Sequence, residues 1–270
     1  MAPVSGDLVT VERRGGTAVV TYANPPFGTM TAAGAQEMLE AFRPLAADPA
    51  VRSVVITGGL PGVFIRHYDV DELGAMGERL KDGPPPPPPT PGARPAEGYL
   101  ALVDAIFEAP KPVVAAINGL CMGGGFELAL ACDLRIAAPD VEAIGLPETR
   151  IGIFPGGGGT QRLPRVVGEA KALEIILRGL TFRGEQAHAI GLVHELADDP
   201  LARALEIAAE WEGRGAEGLA YAKRLTRAAL DRPVWEGLAD ERRAFLEVMS
   251  TASARAGLDL GRRPAEIQRI

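Results

Sequence analysis

The chain is poor in the residue types that mark several large functional classes. Two cysteines, Cys121 and Cys132, stand in 270 residues. They are too few and wrongly spaced for a disulfide framework or a zinc knuckle, so reduced structural thiols are expected. The three histidines, His67, His188 and His194, show no ligand spacing and no G-x-S-x-G elbow occurs, which argues against metal and serine-triad chemistry. Cations are outnumbered, 28 Lys and Arg against 35 Asp and Glu for a formal net charge of -7. General nucleic-acid binding needs the opposite balance, because it rests on cations that neutralise phosphates. No apolar run approaches the roughly 20 residues of a membrane helix, and the start, MAPVSGDLVTVERR, has no basic region followed by an apolar one. The expectation is a cytoplasmic protein with no membrane and no nucleic-acid partner.

What is present reads as repeating strand and helix units. Leu8 to Glu12 and Thr17 to Tyr22 are strand-like around Arg14-Gly15-Gly16, which supplies the positive φ of a tight hairpin. Thr31 can cap a helix whose apolar positions are Ala35, Met38, Leu39, Phe42 and Leu45. Ser53 to Thr57 is β-rich, and Tyr99, Leu102, Val103, Ile106 and Phe107 form one helix face that Pro110 and Pro112 end. The strand Val113 to Ile117, a buried helix from about Gly124, and strands near Leu134 to Ala137 and Glu142 to Leu146 continue an α/β alternation. After Gly168 the pattern is helical, with segments from Glu169, Pro200, Ala216 and Val234 and only Leu192 to Leu196 strand-like. Residues 83–95, GPPPPPPTPGARP, favour extended polyproline and read as an exposed insert, a spacer rather than an SH3-type ligand.

The stretch Asn118 to Asp133, NGLCMGGGFELALACD, sets one carboxylate, Glu127, in an otherwise apolar segment. An unpaired buried carboxylate costs several kcal/mol, so it is paired, protonated or employed in chemistry. Arg135 is a candidate ion-pair partner, but glycines opening a helix admit a ligand close to backbone N–H groups, where the helix dipole favours developing negative charge. The clusters Gly123 to Gly125 and Gly156 to Gly159 both fail the dinucleotide fingerprint and the phosphate-binding loop pattern. Glu148, after Gly145-Leu146-Pro147, is by itself an ordinary first-turn glutamate. Asp69-Val70-Asp71-Glu72 looks metal-like but reads as a capping box that opens a helix toward Met76.

Residues 111–133, KPVVAAINGLCMGGGFELALACD, and 145–168, GLPETRIGIFPGGGGTQRLPRVVG, resemble the crotonase, or enoyl-CoA hydratase/isomerase, superfamily. An N-terminal Asn24-Pro25-Pro26 turn and a helical C-terminus extend the similarity over most of the chain. The resemblance implies a spiral of β-β-α turns over residues 1–200 carrying the catalytic and CoA-binding site. A helical oligomerisation region over residues 201–270 and a homotrimer or a dimer of trimers follow from it as well. It implies an acyl-CoA substrate, no metal and no separate cofactor, coenzyme A being part of the substrate.

By the same resemblance Tyr68 and Gly124 supply the N–H groups of an oxyanion hole, Glu127 activates water and Glu148 protonates the α carbon. Phe64, Ile65, His67, Gly123 and Pro147 contact substrate or CoA. The segment Phe64 to Asp69 carries bulky residues, including His67, where the family has small ones. The C-terminal Arg262-Arg263 pair stands where the family often has a phosphate-binding lysine. The expected activity is syn hydration of a trans-2-enoyl-CoA. Another crotonase-type reaction (isomerisation, thioester hydrolysis or decarboxylation) and non-catalytic CoA-ester binding are the alternatives.

Overall fold

The computed structural model describes residues 6–84, 90 and 92–261. Most of the proline run, 85–89 and 91, and the Arg262-Arg263 pair lie outside the described residues. Strands β1 (Val9–Arg14) and β2 (Thr17–Tyr22) pair antiparallel across Gly15-Gly16, with Gly15 at φ +61°. The first strand runs on to Arg14, past the expected Glu12, because the pairs Arg13↔Ala18 and Arg14↔Thr17 carry the ladder to the turn. Helix α1 (Ala32–Ala47) is capped by Thr31, whose hydroxyl accepts from Gly34 N at 3.0 Å, and it buries the five apolar residues its spacing marks.

Three turns of a spiral follow. The first is β3 (Ser53–Gly58), β4 (Val63–Ile65), α2 (Val70–Leu80) and α3 (Gly98–Glu108). The second is β5 (Val113–Ile117), β6 (Leu120–Met122) and α4 (Gly124–Ala131). The third is β7 (Leu134–Ala137), β8 (Ile144–Gly145), a 3-10 turn (Glu148–Ile151) and α5 (Gly159–Val167). The first strand of each turn enters one parallel ladder, β3-β5-β7, and the second enters another, β4-β6-β8.

Beyond the spiral lie α6 (Glu169–Arg178), β9 (Thr181–Phe182), α7 (Gly184–Ala189) and β10 (Glu195–Leu196). β9 joins β8 antiparallel and β10 joins β7 in parallel. The strands expected over 142–146 and 192–196 shorten to two residues each. Glu142 is exposed, Pro147 has no donor to extend a ladder, and Leu192 N donates to Ala187 O to close α7. Helices α8 (Pro200–Glu212), α9 (Ala216–Ala228), α10 (Val234–Met249) and α11 (Ala252–Gly261) complete the described residues.

The inner strands β2, β3, β5 and β7 are covered on both faces and read as mostly apolar runs, whereas the edge strand β1 alternates buried and exposed residues. Along β3, Val54 and Ile56 enter the main core with Leu102, Ile106 and Phe126, whereas Val55 joins Val19, Val114 and Ile136 under α8. Ala204 and Ala208, one helical turn apart, are the small residues that α8 buries against that face.

Helix α2 begins at Asp69, whose carboxylate accepts from Asp71 N and Glu72 N. The reciprocal half of the expected capping box is replaced, since Glu72 accepts from Ala32 N and ties α2 to α1.

The centre of the fold is α4, all eight of whose residues are buried. A Cβ on Gly125 would stand 1.9 Å from the carbonyl oxygen of Ile65. Only glycine lets β4 lie that close, and this contact lays the 66–68 segment across the N-terminus of α4.

Candidate active site

Two backbone amides meet at that crossing. Around Tyr68 the polar backbone groups are engaged: Arg66 N donates to Gly28 O, Met122 N to Arg66 O, Met30 N to His67 O and Asp69 N to Met30 O. Tyr68 N is left without a partner among the described residues. Around Gly124, Gly123 N donates to Gly145 O and Glu127 N to Gly123 O, while Gly124 N is one of the first-turn amides a helix leaves open. A Cβ on Gly124 would stand 3.3 Å from Tyr68 N, so the two amides are neighbours. Gly123 turns the chain into the helix at φ +50°, a conformation that favours glycine.

Glu127 is 3% exposed. Its Oε1 accepts from Gly157 N at 2.7 Å and Gly159 N at 2.8 Å. Burial raises its pKa, and the Gly159 and Gly157 amides and the Arg162 charge oppose the rise. The loop Gly156 to Gly159 closes on the carboxylate so tightly that a Cβ on Gly157 would stand 2.6 Å from Glu127 Oε2. Arg162 holds this loop from behind, donating to Gly157 O at 2.9 Å and pairing with Asp104 at 3.2 Å.

The ion pair between Glu127 and Arg135 is not formed. Arg135 donates instead to Leu192 O, Ala129 O and Cys132 O, at the C-terminal end of α4 where carbonyls attract a cation.

Glu148 opens the 3-10 turn after Pro147. Both of its carboxylate oxygens are buried without a hydrogen-bond partner among the described residues. Burial, with the charge of Glu127 added, pushes its pKa up to about 7. Gly123 separates it from His67: a Cβ there would lie 3.5 Å from both Glu148 Oε1 and His67 Cβ. His67 Nδ1 is 2.7 Å from Tyr68 O, and since a carbonyl only accepts, Nδ1 carries the proton of that bond.

These groups line one cleft of about 670 Å³. It brings together Glu127, Glu148, Tyr68, Gly124, His67, Gly123 and Pro147. It does not include Phe64 and Ile65, expected to contact substrate: as part of β4 they are 1% and 0% exposed and pack into the core. β4, a strand of the second sheet, is covered by α4 and by β3 and β5 of the six-stranded sheet, so successive side chains that point to opposite faces are both buried.

Sequence reasoning missed the apolar walls, Val70, Leu73 and Met76 from α2 with Leu100, Ile153 and Phe154. It also missed Tyr99, Gly157 and Gly159. The one signal for Tyr99 is a hydroxyl on an otherwise apolar helix face, since a buried hydroxyl needs a partner. The signal for the loop is a second glycine run opening a second helix. Among the described residues, no group of three His, Cys, Asp or Glu is placed to hold a metal ion, and no helix is long and apolar enough to cross a membrane.

The family model of enoyl-CoA hydratase/isomerase matches residues 12–265. The mitochondrial methylglutaconyl-CoA hydratase of Rattus norvegicus is 35% identical over 220 residues, 79% of this chain and 66% of that protein. The chain therefore spans about two thirds of the length of that relative. YngF of Bacillus subtilis, assigned by name to the same family, is 44% identical over 77% of this chain and 76% of its own. The crystal structure of an enoyl-CoA hydratase from Bacillus anthracis superposes with a TM-score of 0.83 at 27% identity, covering 94% of this chain and 95% of the other. With the spiral fold, these similarities show that the chain belongs to the enoyl-CoA hydratase/isomerase family of enzymes, the crotonase superfamily.

Proposed function

We propose that the enzyme hydrates a trans-2-enoyl-CoA thioester by syn addition of water. The observation that carries this reading is the pair of unlike carboxylates on one cleft. Glu127 accepts two backbone N–H bonds that favour its anion; Glu148 accepts none, and burial holds its proton up to about pH 7.

Hydration needs one group of each kind. Ionised Glu127 takes a proton from water as the water oxygen bonds to the β carbon. The π electrons move toward the thioester oxygen, whose negative charge Tyr68 N–H and Gly124 N–H receive. Protonated Glu148 then delivers its proton to the α carbon as the carbonyl re-forms. Isomerisation would need only one of the two carboxylates to shuttle a proton. The apolar walls Val70, Leu73, Met76, Leu100, Ile153 and Phe154 favour an apolar acyl chain.

Loss of the conjugated enoyl absorbance, followed with crotonyl-CoA and longer apolar chains, tests this. Hydration is expected for the wild type, with Glu127→Gln and Glu148→Gln each slower by ~10²–10⁴-fold. Tight CoA-ester binding without hydration at any chain length would overturn the reading, and loss of activity in Glu148→Gln alone would assign isomerisation. We further propose a homotrimer or pair of trimers, because Leu230, Val234, Trp235, Phe245 and Leu246 of the helical region are exposed. Light scattering showing a monomer at micromolar concentration would overturn that assembly.

A further inference from the structure

Gly123, Gly124 and Gly125 have no side chains with which to hold their own backbone, and glycine backbone is the least restrained of any residue. Beside the helix's own bond from Glu127 N to Gly123 O, the first turn of α4 is held from outside it. Tyr99, on α3, donates its hydroxyl to Gly124 O at 2.5 Å. The same ring stands edge-on to Tyr68, with centroids 5.4 Å apart and planes at 71°, an arrangement that aromatic quadrupoles favour. Its Cε1 also lies 2.7 Å from where a Cβ of Gly157 would stand, against the loop that holds Glu127. One side chain thus touches the residues bearing both open amides and the loop bearing the Glu127 donors.

We propose that Tyr99 is a positioning residue that sets the oxyanion hole. Its hydroxyl fixes the peptide after Gly124 and its ring fixes Tyr68, so the two amides converge on one oxygen. The inference rests on the proposed function's assignment of Tyr68 and Gly124 as oxyanion donors. Burial and the Glu127 charge raise the Tyr99 pKa well above the usual phenol value, so the hydroxyl remains a donor throughout the working pH range. The competing account is space-filling, as for Leu102, Val103 and Ile106 on the same helix, which are buried and make no use of a polar atom. Space-filling needs the ring and not the hydroxyl.

Tyr99→Phe separates the two accounts, because it keeps the ring and removes one hydrogen bond. The probe is cinnamoyl-CoA, whose absorbance moves to the red when its thioester carbonyl is polarised. The wild type is expected to shift the band. Tyr99→Phe is expected to bind the probe with Kd within about threefold, to lose half or more of the shift, and to lower kcat by ~10- to 100-fold at nearly constant KM. Its melting temperature should stay within a few degrees of wild type, as for the loss of about one ordinary hydrogen bond. Tyr99→Leu, which also removes the ring, should lose the remaining shift.

An unchanged shift and kcat in Tyr99→Phe would overturn the proposal while leaving the oxyanion assignment standing. Weaker binding with the full shift in the bound fraction would assign Tyr99 to packing and overturn it likewise. No shift in the wild type would overturn the assignment and the proposal with it.

Discussion

Gly123 to Gly125 and Gly156 to Gly159 are two glycine runs that do the same thing in local structure and opposite things with their amides. Each opens a helix, α4 or α5, and each turns through a positive φ, +50° at Gly123 and +103° at Gly158. In the second run Gly157 N and Gly159 N are engaged inward, on a resident carboxylate, Glu127. In the first, Gly124 N is left open to the cleft beside Tyr68 N. The difference teaches that a glycine-led helix start stabilises negative charge in either of two forms, a resident carboxylate or a charge that exists only during reaction. Glu148 lies outside both runs and receives neither benefit, and its carboxyl is the one held near neutrality.

The comparison can be broken loop by loop. Gly157→Ala should have the largest effect, because its Cβ would stand 2.6 Å from Glu127 Oε2 and 2.7 Å from Tyr99 Cε1. A fall of ~10²–10³-fold in kcat/KM is expected in the hydration assay, with about 1–3 kcal/mol lost in urea unfolding.

Gly124→Ala meets looser contacts, 3.1 Å to Tyr68 Cβ and 3.4 Å to the Tyr99 hydroxyl. It should lower kcat by ~10- to 100-fold with stability unchanged or raised, since alanine is the better helix former by roughly 0.5–1 kcal/mol. Equal losses of activity and stability in that variant would remove the distinction between the two runs.

Arg162→Gln acts one step further out. It withdraws the donor on Gly157 O and the positive charge that opposes the rise of the Glu127 pKa. Since Glu127 must be ionised to act as base, the acid limb of kcat/KM against pH should move to higher pH, with a several-fold loss at neutrality. An unmoved limb would detach Arg162 from Glu127.

The smallest effect is on stability. The folded chain keeps the Glu148 proton up to about pH 7, whereas the unfolded chain releases it near the ordinary carboxylate value of 4.5. Folding stability therefore falls as pH rises between those values and is level above them. Glu148→Gln removes that cost. It should be more stable than wild type by on the order of 1–3 kcal/mol at slightly alkaline pH and no more stable below the carboxylate range.

Much of this was legible in the residues. The alternation of strand and helix followed from apolar runs punctuated by glycine and proline, the ββα spiral came only from the family resemblance, and Glu127 was conspicuous because a carboxylate stood among Phe126, Leu128 and Ala129. Its partners were not legible. Arg135 is near in sequence, but it lies on β7 and bonds carbonyls at the C-terminal end of α4 while Glu127 stands in the first turn of that helix, and the actual donors come from thirty residues downstream through a loop that only the third spiral turn brings back. Phe64 and Ile65 were misplaced for a related reason. A motif specifies which backbone passes the ligand, while burial of that backbone in β4 decides where its side chains go. Tyr99 looked like one more member of a helix face, because periodicity reports burial and carries no information on where a hydroxyl points.

The account turns on two carboxylates held in unlike states, and the protonation of Glu148 in the free enzyme tests it most directly. Difference infrared spectra of wild type against Glu148→Gln, taken from about pH 4 to about pH 9, resolve the protonated carboxyl band. The expected result is a band that disappears with a midpoint of about 7. A midpoint in the ordinary carboxylate range near 4.5 would mean that Glu148 is ionised at neutral pH, and would contradict its assignment as the proton donor.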